Sequence, residues 1–117
     1  MLTSTNEDEA IWREYCYNQG RLALSRDQKA AAVRYSLAEL ERLHPGRSVE
    51  VRVVPFAAVQ IIAGAAHRRG TPPAVVEMDG ETWLELASGR LTWEEADEAG
   101  RVDASGERSN LSGLLPL

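Results

Sequence analysis

The apolar positions change period twice along the chain. In "NEDEAIWREYCYNQG" Ile11 pairs with Tyr15 and Trp12 with Cys16 at helical spacing. Acidic residues crowd the first turn, where the helix dipole favours them, and Gly20 suits a terminating position. A second helix follows in "SRDQKAAAVRYSLAELERLHPG". Ser25 and Gln28 fit a capping box, Val33, Leu37 and Leu40 share one face, and Pro45–Gly46 stop it.

The period then falls to two. In "SVEVRVV" Val49, Val51 and Val53 alternate with Glu50 and Arg52, which predicts a strand with one buried face. Pro55 predicts a turn or bulge. "FAAVQIIAG" is apolar on both faces except at Gln60, the pattern of a more central strand. "AHRRGTPP" reads as a loop and "AVVEM" as a third strand. Two short helices follow: one from Asp79 with Trp83, Leu86 and Ala87 on one side, the other opened by a Thr92–Glu95 capping box. Gly89 and Gly100 stand where left-handed caps are expected. "RVDAS" alternates as a fourth strand, and "NLSGLLPL" is an apolar tail.

Two helices, three strands, two helices and a strand, without regular alternation, predict an α+β fold. The expected architecture is a mostly antiparallel sheet of about four to five strands with helices on one face. Residues 1–24 form an N-terminal helical extension and 25–117 the main domain, within one globular unit.

Length and charge narrow the function. A chain of 117 residues has room for one core. The polar, acidic N-terminus lacks a basic, apolar secretory leader, and no run approaches a membrane span, so a cytoplasmic protein is expected. Cys16 is the single cysteine, which excludes an internal disulfide. The net charge is −5, and residues 77–108 hold ten acidic against three basic side chains. That balance repels phosphate backbones and argues against nucleic acid.

Candidate chemistry is sparse. His44 and His67 stand in unlike contexts and assemble no metal site. Cys16 sits in an aromatic helix and reads as a small apolar residue rather than a nucleophile. No glycine spacing matches a phosphate-cradling loop. Glu94–Glu95 and Asp97–Glu98 read as the solvated, dipole-compatible side of a short helix. His67, Arg68 and Arg69 form the one basic cluster, a solvated loop or an anion contact. No catalytic residue, metal or cofactor is expected, so the chain is read as no enzyme.

From about residue 29 onwards the chain resembles a bacterial branch of the sterol carrier protein superfamily. The stretches that carry the likeness are "GRSVEVRVVPFAAVQ", "HRRGTPPAVVEMD", "TWLELASGRLTWEEADEAGRVDASG" and "NLSGLLPL". The resemblance implies a sheet covered on one face by helices, and an apolar interior that in some members binds sterols, fatty acyl chains or acyl-coenzyme A. On this reading a lipid or acyl chain lies between the sheet and the two short helices. Phe56, Val59, Ile61, Trp83, Leu86, Leu91, Trp93 and Leu114 would line the pocket. The alternative is a protein-interaction or dimerisation domain with a filled core, its aromatic first helix and apolar tail burying surface in a homodimer.

Overall fold

The computed structural model describes residues 1–64, 74–106 and 109–117. Two helices lead, α1 (Asn6–Tyr17) and α2 (Arg26–Leu43), followed by strands β1 (Pro45–Val54), β2 (Ala57–Ile61) and β3 (Ala74–Asp79). Helices α3 (Gly80–Ser88) and α4 (Trp93–Glu98) precede a last strand, β4 (Val102–Ser105). The fold is α+β, with a four-stranded sheet in the order β2-β1-β3-β4. No helix among the described residues is long and apolar enough to cross a membrane.

Local signals account for most boundaries. Thr5, Ser25 and Thr92 cap α1, α2 and α4 through reciprocal bonds with Asp8, Gln28 and Glu95. The Asp79 carboxylate accepts from the Thr82 N–H at 2.8 Å and starts α3. Gly89 and Gly100 have φ +83° and +70°, as their positions predict.

The sheet is mostly antiparallel, as expected, through the β1–β2 and β3–β4 pairings. The third pairing is parallel: β1 runs alongside β3, with Val51 opposite both Val59 and Val76. Alternation reveals which face a strand buries and not its direction, so this pairing is invisible in the pattern. One expectation fails: β2 is an edge strand rather than a central one. Val59 and Ile61 are buried while Ala58 and Gln60 are exposed. The alanines, apolar yet small, disguised a strand with one wet face. The basic cluster of residues 67–69 lies outside the described residues.

Helices cover one face only. Val49, Val51, Val53, Val59, Ile61, Val76 and Met78 turn inward with Leu37, Leu40 and Trp83 in one apolar cluster. Arg52, Gln60 and Asp103 stay exposed on the opposite face, where the Arg52 guanidinium pairs with Glu50. The first helix is part of the same core, because Trp12 and Tyr15 are buried in that cluster and stack at 6.0 Å between centroids.

Polar contacts fix α1 in place. The Asp8 carboxylate takes two bonds from Arg34 of α2, at 3.0 and 3.3 Å. The Arg90 guanidinium donates to the Tyr15 hydroxyl at 2.6 Å and lies 5.4 Å from its ring centroid. Gly20, at φ +71°, makes room for it: a Cβ there would collide with the Arg90 guanidinium.

The Arg34 bonds hold the Asp8 carboxyl below its ordinary range, helped by the Thr5 cap. A depressed folded-state pKa stabilises the protein above the unfolded value near 3.8. That stability is lost as pH falls from there through the folded value. Asp8→Asn should therefore lower stability at neutral pH and flatten its acid-side slope. Urea midpoints from pH 7 down to 2 check this, and a wild-type slope in the variant would contradict it.

Candidate ligand-binding site

The two short helices and the tail behind them hold most of the proposed lining. At nine and six residues, α3 and α4 are too short to persist alone and depend on packed faces. Trp83 supplies that face for α3. It is wholly buried, and its indole N–H donates to the Ser36 hydroxyl at 2.8 Å. Ser36 in turn donates to the Ala32 carbonyl at 2.7 Å. Trp93 opens α4 and is also buried.

The eight expected lining residues do not meet around one internal space. Val59, Ile61, Trp83, Leu86 and Trp93 are buried in the core cluster, while Phe56, Leu91 and Leu114 are partly buried against it. Val59 and Ile61 lie on the inward face of the sheet. Phe56 sits in the β1–β2 turn, close to Gly80, where an added Cβ would come within 2.7 Å of its ring. Trp83 points to α2. Side chains at or near zero exposure, such as Ile61, Trp83 and Leu86, fill the space between sheet and helices.

Three of the eight do meet elsewhere. Leu86, Leu91 and Trp93 line a groove of about 250 Å³ at the α3–α4 turn, closed on the far side by Leu115 and Pro116. The tail is held there by Leu111, which is fully buried, and by the Leu117 N–H, which donates to the Ala87 carbonyl at 3.0 Å. Leu115 and Pro116 were not among the expected residues. The apolar run "LLPL" was the available signal, but it does not show which leucine turns to the groove.

Thr92, Glu94 and Ser112 add polar groups to the lining of the groove beside its apolar side chains. An ionic wall forms beside α3. Arg101 reaches Glu85 at 2.8 Å and donates to the buried Thr82 hydroxyl at 3.1 Å, with Arg90 3.8 Å from the same Glu85. Cys16 is half-buried, and burial pushes its thiol pKa up, away from thiolate chemistry. Among the described residues, no three His, Cys, Asp or Glu side chains stand close enough to hold a metal ion.

The family described as bacterial SCP ortholog matches residues 25–117, from the Ser25 cap of α2 to the tail. The chain belongs to that family. As a bacterial SCP ortholog, it is a sterol-carrier-like module over those residues, and α1 lies outside the match. The groove lies wholly inside it. No curated protein matches the chain.

Gly89 turns the chain from Leu86 towards Leu91, so its left-handed backbone shapes the groove. Gly89→Ala and Gly100→Ala should each cost about 1–2 kcal/mol, the strain of an L-residue in that region. Urea melts check this. Unchanged midpoints would mean that the two helices end without left-handed caps.

Proposed function

We propose that this chain is a non-catalytic binding module that takes the end of a lipid or fatty acyl chain in the groove at the α3–α4 turn. The observation that carries the reading is the convergence of the apolar side chains of Leu86, Leu91, Trp93, Leu115 and Pro116 on one depression within the sterol-carrier-like region. Its volume of about 250 Å³ falls just below the ~300–1,000 Å³ usual for drug-sized ligands. A chain terminus suits that space better than a whole sterol.

A second reading keeps the same fold without a small ligand: an interaction domain with a filled core. The complete burial of Trp83 and Ile61 favours it, because side chains already occupy the interior.

Titration with a long-chain fatty acid separates the two. Binding should be saturable, micromolar or weaker, on the order of −8 kcal/mol at best. It should shift Trp93 emission, and Trp93→Phe should remove that shift. Leu91→Gln, at a partly exposed position, should weaken binding with little change in the melt. A flat titration, or a shift unchanged in Trp93→Phe, would overturn the ligand reading in favour of the filled core.

A further inference from the structure

The large apolar side chains that stand exposed among the described residues are Met1, Tyr17, Leu43, Val54 and Leu117. Tyr17, Leu43 and Leu117 line a single groove of about 620 Å³. It runs between α1 and α2, with Trp12 and Tyr35 in its walls and the end of α3 beneath. Tyr17 is 88% exposed and Leu43 46%. Scattered apolar residues need no explanation, but three gathered from distant parts of the chain around one aromatic groove do.

Charge decides what occupies it. The stretch 77–108 holds ten acidic against three basic side chains, more than the whole net charge of −5, so it repels a second copy, and only its uncharged Ala87 and Ser88 line the groove. The groove has one charge of each sign: Arg13 on the α1 wall and Glu39 on the α2 wall. Arg13 acts on the Glu39 carboxylate across the gap. Each already has an exposed partner on its own helix, Glu9 and Arg42. Such pairs contribute little and exchange readily. With a two-fold axis along the groove, each wall faces the opposite wall of the other copy. Arg13 of one copy then meets Glu39 of the other, twice.

We propose that this groove is the interface of a homodimer, with Tyr17 and Leu43 of each copy packed against the other copy's aromatic wall and two crossed Arg13–Glu39 pairs setting the register. One wall of the surface, α1, lies outside the family match, the α2 wall lies inside it, and the surface shares no lining residue with the groove at the α3–α4 turn. The pairing is isologous, so it closes on itself and stops at two copies.

Sedimentation velocity of the full chain, from low to high micromolar concentration, tests it. The wild type should pass from monomer to dimer. Leu43→Arg should be monomeric with an unchanged melt, because the site is exposed and a cation suits a helix C-terminus. Val54→Arg, on the open face of the sheet, should dimerise like the wild type. Arg13→Glu and Glu39→Arg should each weaken the dimer about tenfold, and the double swap should restore it, since it re-forms both crossed pairs. A wild-type monomer throughout, a dimer indifferent to Leu43→Arg, or a double swap no better than the single variants would overturn the proposal.

Discussion

The bond from the Trp83 indole to the Ser36 hydroxyl is the constraint on which the rest of the arrangement depends. Trp83 heads the wholly buried side chains by volume, and its N–H lies where water cannot reach it. An indole N–H buried without an acceptor costs about 1–3 kcal/mol. Ser36 supplies the acceptor and its own hydroxyl donates to the Ala32 carbonyl, so both donors are satisfied inside an apolar core. The pair orients the indole and ties α3 to the middle of α2. With α3 fixed, the Gly89 turn, α4 and the tail strapped to Ala87 follow in place.

A second, more exposed layer acts on the same helix. Glu85 of α3 gathers Arg101 from beyond α4 and Arg90 from the turn, while Arg90 also holds Tyr15 of α1. One carboxylate thus connects the sterol-carrier-like region to the helix outside it. These groups are partly solvated, so each pair stabilises modestly, and their main effect is to orient. The packing of Trp12 and Tyr15 supplies the apolar part of the attachment.

What the sequence revealed follows from the range of the interactions. Caps at Ser25, Asp79 and Thr92 and the left-handed Gly89 depend on neighbours within a few residues, so they were legible. Alternation at Val49, Val51 and Val53 marked the buried face correctly. The parallel β1–β3 pairing and the edge position of β2 depend on pairing between strands distant in the chain, and no local signal encodes that. The placement of the candidate site residues was illegible for the same reason. Apolar helix faces at Trp83 and Trp93 looked alike, yet the first turns into the core to meet Ser36 and the second borders a groove. Nothing near Ser36 in the sequence marks it as the partner of a residue 47 positions away.

A double-mutant cycle on Trp83→Phe and Ser36→Ala, read by urea denaturation, tests the central tie most directly. Ser36→Ala alone should cost about 1–3 kcal/mol by orphaning the indole N–H. In the Trp83→Phe background, where no N–H remains, the same change should cost far less. The coupling energy should then exceed about 0.5 kcal/mol, beyond the scatter of independent sites. Additive losses within that scatter would contradict the tie, because Trp83 and α3 would then be held in place by apolar packing alone.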